Sequence, residues 1–160
     1  MNAARERTAE PAAGVAVDEV DAAYLESLIG YNARRAALAM IGAFLPGMAA
    51  FDLRPVDFSV LSLVLHNPGI TSRQLCATLG ILPPNLVGLV STLERRGLVT
   101  RQPHPTDRRA VGLHLTAHGR TLMRKAERTA AGIEAAVASR LSPAEARTLI
   151  RLLRKVYLDR

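Results

Sequence analysis

Tryptophan is absent from the chain, phenylalanine and tyrosine occur three times each, and there is one cysteine. With few aromatics, a core must be built from Leu, Val, Ile and Ala, which favours packed helices. The lone Cys76 excludes an intramolecular disulfide framework and fits a reducing cytoplasm, the expected location. No apolar run reaches the roughly 20 residues that span a bilayer. The longest, Ala36 to Phe51, is interrupted by Gly42, Pro46 and Gly47. Arg5, Glu6, Arg7 and Glu10 precede no apolar stretch, so no secretory signal is expected and a membrane is not among the expected partners. There is no Ser/His/Asp arrangement, glycine-rich phosphate loop or metal-ligand spacing, so neither catalysis nor a cofactor is expected. His114 and His118 lie four apart, but one falls on a strand and the other at a helix start, which makes a poor metal pair.

What the chain does have is positive charge. Lysine and arginine outnumber aspartate and glutamate by 21 to 14, an imbalance that suits a polyanionic partner. Its placement is informative. Between Ser91 and Arg128 stand Arg95, Arg96, Arg101, Arg108, Arg109, Arg120, Arg124, Lys125 and Arg128, opposed only by Glu94, Asp107 and Glu127.

Residues 1–17 have no apolar period and are expected to be a disordered tail. Tyr24, Leu28, Tyr31, Leu38 and Leu45 predict a long helix over 20–45, ended by Pro46 and Gly47, and residues 18–46 are expected to be a dimerisation element. Pro55 suits the first turn of a buried helix running to His66, and Asn67-Pro68-Gly69 is a turn. Thr71 or Ser72 caps a short helix that Gly80 stops. Pro83 and Pro84 open another, through Leu86, Leu89, Val90 and Leu93 to Arg96, with Gly97 closing it. That spacing is the one of a helix-turn-helix. Leu98 to Arg101 and Ala110 to Thr116 alternate as two strands of a ribbon, the second with Val111, Leu113 and Leu115 on one face. The polar loop 102–109 between them is a wing. A helix over 117–139 follows, with Leu122, Ala126, Ile133 and Val137 inward. The last helix has a clear start at Ser142-Pro143-Ala144-Glu145 and an apolar stripe of Leu149, Leu152, Leu153 and Val156. The fold expected is mainly α with a small antiparallel β-ribbon. A winged helix-turn-helix domain occupies 55–116, and the helices of 117–160 complete the dimerisation region.

Leu93-Glu94, Gly97-Leu98-Val99, Asp107-Arg108-Arg109 and Leu115-Thr116-Ala117-His118-Gly119 stand in one order. In this order and spacing, from about Ala22 to Leu158, the chain resembles the MarR family of transcriptional regulators. The resemblance implies a homodimer built from the first and last helices and a palindromic double-stranded DNA operator. It also implies a regulator, expected to be a repressor, often released by a small ligand between the dimer and DNA-binding parts.

Candidate DNA contacts follow. Phosphate contact falls to Thr71, Ser72, Arg73 and Gln74 at the first helix of the pair, and to Arg101, His104, Thr106 and Arg109 on and near the wing. Arg108, at the wing tip, suits a minor groove. Asp107 either holds Arg109 in position or only fixes the loop. On the recognition helix, Pro84 departs from the Ser or Thr frequent in the family and has no N–H to offer a phosphate. Asn85 becomes the candidate base reader through its amide, Gly88 permits close approach, and Ser91 and Arg95 touch sugar or phosphate. Effector candidates are Asn32, Arg34, Arg35, Phe44, Phe58 and His66, because arginine beside aromatics suits a small aromatic acid. The competing reading makes Arg34 and Arg35 solvated or ion-paired across subunits. Two further alternatives are a winged interaction module without DNA and a redox-responsive regulator using Cys76. Intact Arg108 and Arg109 oppose the first. The apolar setting of Cys76 and the lack of a cysteine near the first helix oppose the second.

Overall fold

A computed structural model of the chain describes residues 20–103 and 111–158. The elements in order are α1 (Ala23–Glu26), α2 (Ile29–Met48), a 3-10 turn (Ala49–Phe51) and α3 (Pro55–His66). Then come β1 (Ile70–Thr71), α4 (Ser72–Leu79), α5 (Pro83–Arg95), β2 (Val99–Pro103), β3 (Val111–Leu115), α6 (Ala117–Val137) and α7 (Pro143–Tyr157). The chain divides into two units, residues 1–35 and 36–160. No single helix among the described residues is long and apolar enough to cross a membrane.

In the first unit, the single helix expected from residue 20 is broken at Ser27 and Leu28. Polar side chains take carbonyls that a continuous helix would use. The Ser27 hydroxyl donates to the Tyr24 carbonyl at 2.7 Å, and the Asn32 amide donates to the carbonyls of Glu26 and Leu28 at 2.7 and 2.8 Å. At its other end α2 continues through Pro46 and Gly47, which do not stop it. Pro46 falls in the last turn, and the carbonyl it leaves without a helical donor belongs to exposed Gly42, which solvent can reach. The helix ends instead through the 3-10 turn and Asp52, whose φ of 50° is left-handed.

The core of the second unit is aliphatic. Val60, Leu61 and Val64 of α3 meet Leu75 of α4, Leu86, Leu89, Val90 and Leu93 of α5, Leu113 and Leu115 of β3, and Met123 and Ala126 of α6. Met123, fully buried, is a core residue that the sequence pattern did not single out; Leu122, chosen in its place, is half-buried. The sheet has three strands in the order β1-β3-β2, all antiparallel, where a two-stranded ribbon was expected. A strand of two residues carries no periodicity, so β1 has no signature of its own. β2 also runs on to Pro103, pairing with Val111, so the wing loop begins later than expected. Val111, at the far end of that ladder, is exposed, whereas Leu113 and Leu115 are buried as the alternation predicts.

The start of α3 is held by a polar cluster. Asp57, the one buried charged residue among those described, accepts from the Arg54 N–H at 3.0 Å and from the Arg54 guanidinium at 2.9 and 3.1 Å. Burial pushes its carboxyl up. The side-chain and backbone hydrogen bonds from Arg54, with the charges of Arg54 and Arg96, outweigh this and hold it below the usual carboxylate range. The resulting stability is fully present above the unfolded value of about 3.9 and is lost as pH falls through the lower folded value. Asp57→Asn should therefore be less stable than the wild type in urea at pH 7, with the gap closing below about pH 4. A gap of constant size from pH 7 to pH 3 would contradict this.

Candidate nucleic-acid interface

The two helices of the helix-turn-helix are set by local chemistry. Thr71 caps α4: its hydroxyl accepts from the Gln74 N–H at 3.3 Å, and the Gln74 side-chain oxygen accepts from the Thr71 N–H and hydroxyl at 2.9 Å each. The cap is thus Thr71, and the Thr71 and Gln74 side chains are occupied with each other; Ser72 and Arg73 form the first turn. Gly80 ends α4 at φ 62°. The chain then turns through 116°, and Pro83 and Pro84 start α5. Those two prolines have no N–H, and Leu82 provides no side-chain cap.

On the 3.6-residue period, Leu86, Leu89, Val90 and Leu93 bury one side of α5. Pro84, Gly88, Ser91 and Arg95 form the opposite row. Pro84, Gly88 and Arg95 are exposed, Ser91 is half-buried, and the Arg95 guanidinium donates to the Thr92 hydroxyl at 3.1 Å. Asn85 is exposed beside that row and, together with Pro84 and Gly88, lines a groove bounded by Arg54, Val56 and Thr92.

The base of the wing is bonded to both neighbouring helices. The Thr116 N–H donates to the Leu98 carbonyl at 3.0 Å, its hydroxyl donates to the Gly97 carbonyl at 2.6 Å, and the same oxygen accepts from the Gly119 N–H at 3.0 Å. Arg96 donates to the Phe51 carbonyl at 3.0 Å and lies 3.5 Å from Asp52, tying the end of α5 to the turn before α3. Arg101 is paired with Glu94: its Nε donates to the two carboxylate oxygens at 2.9 and 3.0 Å. Part of the basic surplus is therefore paired within the chain, Arg101 with Glu94. Glu94, seven residues earlier on a different element, is a site residue that sequence reasoning passed over. His104, Thr106, Asp107, Arg108 and Arg109 lie outside the described residues.

Of the effector candidates, Phe44 and Phe58 come together, edge to face with ring centroids 5.6 Å apart. They line a cavity of about 340 Å³ among α2, α3 and α6, with Met40, Ile41, Ile133 and Glu134. His66 is engaged elsewhere, its Nε2 2.9 Å from Glu127, whose carboxylate also accepts from the Ser62 hydroxyl at 2.9 Å. Asn32 is used at the helix break, and Arg34 and Arg35 are exposed on α2. Cys76 is half-buried against the core.

The model of the MarR family matches residues 51–110, a range that holds α3, α4, α5 and β2. A protein of Thauera aromatica named as a transcriptional regulator for the hcr operon is 30% identical over 130 residues, 81% of this chain and 78% of that protein. The chain belongs to the MarR family. Two solved structures extend the likeness. The transcriptional repressor CouR bound to a 23-mer DNA duplex is 35% identical, with a TM-score of 0.82 over 88% of this chain and 100% of that one. CouR from Rhodococcus jostii RHA1 bound to p-coumaroyl-CoA is 29% identical, with a TM-score of 0.78 over 82% and 93%. As a MarR-family protein the chain is a DNA-binding transcriptional regulator and a homodimer, not an enzyme.

Proposed function

We propose that this regulator is a repressor that grips a palindromic operator as a dimer and releases it when an aromatic ligand enters the cavity behind Phe44 and Phe58. In this reading residues 55–116 bind DNA, and the helices of 18–46 and 117–160 join the two copies. Arg73, Arg108 and Arg109 contact phosphate or the minor groove, and α5 enters the major groove. The likeness to a repressor solved on DNA and to one solved with p-coumaroyl-CoA supports both halves.

The cavity carries the ligand proposal. Its volume is at the lower end of small-molecule sites, and an edge-to-face aromatic pair forms part of its wall. Glu134 is the only charged residue lining it among those described. A free carboxylate would meet the wrong charge there. An aromatic ring with a hydroxyl donor, its carboxyl masked as a thioester, suits the wall better.

The test is a footprint of the purified protein on the DNA upstream of its own gene, followed by titration with p-coumaroyl-CoA and with free p-coumarate. Expected are a two-fold symmetric site with half-sites about 10 bp apart, and release by the thioester with little effect of the free acid. An asymmetric footprint overturns the operator reading. Binding unmoved by either compound overturns the ligand reading.

A further inference from the structure

We infer that Val87 and Pro84 read thymine methyl groups, so that the operator half-site is recognised more by its 5-methyl pattern than by hydrogen bonds. This rests on the reading that α5 enters the major groove.

The face α5 presents outward is poor in hydrogen-bonding groups over its first two turns. Val87 is 58% exposed beside the row of Pro84 and Gly88, and Leu82, just before the helix, is 69% exposed. A single exposed aliphatic residue on a protein surface needs no explanation. Here, however, the apolar residues share a strip with two prolines, on the element that meets the bases. Asn85, the amide nearest by, lies on the opposite side of the row from Val87, in a groove that Pro84 and Gly88 line with Arg54. The Thr92 hydroxyl donates to the Gly88 carbonyl at 3.0 Å and accepts from Arg95, so it is occupied within the helix. In the major groove the one apolar group a standard base offers is the C5-methyl of thymine.

Gly88 is the second observation. A methyl built on it would meet nothing within 4 Å. Mid-helix glycine weakens a helix relative to alanine, and no packing among the described residues calls for it. What it does provide is a gap one residue wide between Pro84 and Ser91, through which the helix backbone can approach a base edge.

The experiment selects binding sites from a randomised duplex pool with the full-length dimer, then resynthesises the best site with uracil for thymine at one position at a time. At one or two positions per half-site, loss of the methyl should weaken binding by about 3- to 10-fold. Val87→Ala should abolish that penalty at one of them. Gly88→Ala should raise the thermal midpoint of the free protein while weakening binding to the selected site by about 3-fold or more. If uracil is tolerated at every position, or if Val87→Ala leaves every uracil penalty in place, the inference is overturned. If no sequence is enriched from the pool, the DNA-reading role of α5 itself fails, a different result from either.

Discussion

Gly119→Ala should lower the thermal midpoint of the protein by roughly 5–10 °C, corresponding to about 2–3 kcal/mol. The reason is a close approach between backbones. A methyl on Gly119 would run into the carbonyl of Leu98, with the Leu98 carbonyl carbon 3.0 Å away. A flexible side chain could yield to such a contact, but this carbonyl cannot, because it accepts the Thr116 N–H at 3.0 Å. Moving it would loosen the Thr116 hydroxyl from the Gly97 carbonyl and from the Gly119 N–H, the bonds that fix α6 to the wing and the wing to the end of α5. Gly88→Ala is the control: the same chemical change, in open space, should raise the midpoint by a small amount. Differential scanning calorimetry of the two variants decides the matter, and equal shifts of the same sign would refute the packing account.

This explains why the Leu-Thr-x-x-Gly run is informative in the sequence. Its residues are chosen by backbone geometry, and such geometry has a local signature. The same holds for Gly80 and Gly97, both at positive φ, and for Ser142 and Glu145, which form the capping box that the sequence announces at the head of α7. What stayed hidden depends on partners far along the chain. β1 exists because Ile70 and Thr71 find Leu113 and Gly112, and Gly112 admits it by letting the Gly69 carbonyl come within 2.7 Å of where a methyl would be. The choice of Met123 over Leu122 as the buried residue is set by how α6 rolls on α3, which both apolar side chains would satisfy equally on paper. In the site, the sequence marks Arg101 as a phosphate ligand, but its pairing with Glu94 needs α5 and β2 side by side. Asn85 is marked as a reader by its amide, but the groove it shares with Pro84, Gly88 and Arg54 needs α3 beside α5. Side-chain type is legible residue by residue, whereas direction and pairing belong to the tertiary structure.

Leu149→Asp combined with Leu153→Asp should convert the protein to a monomer and reduce operator affinity by about 100-fold or more. α7 is capped at its start and ordered along its length, yet none of its residues is buried within the chain. Leu149 is 43% exposed, Leu152 47%, Leu153 40% and Val156 69%. An apolar stripe of this kind gains roughly 25 cal/mol for each Å² removed from water, and a second copy of the chain is what can remove it in a homodimer. Two aspartates facing their symmetry mates would add like-charge repulsion to the lost burial. On the proposed two-fold operator each subunit reads one half-site, so separating them would forfeit the high effective concentration that the first contact provides for the second. Light scattering with size-exclusion chromatography reads the assembly state, and anisotropy titration on a two-half-site duplex reads the affinity. Circular dichroism distinguishes dissociation from unfolding, since the core centred on Leu61, Leu75, Leu93 and Met123 contains no residue of α7. A helical monomer that still binds the full site as the wild type does would show that the two copies do not need α7 to act together.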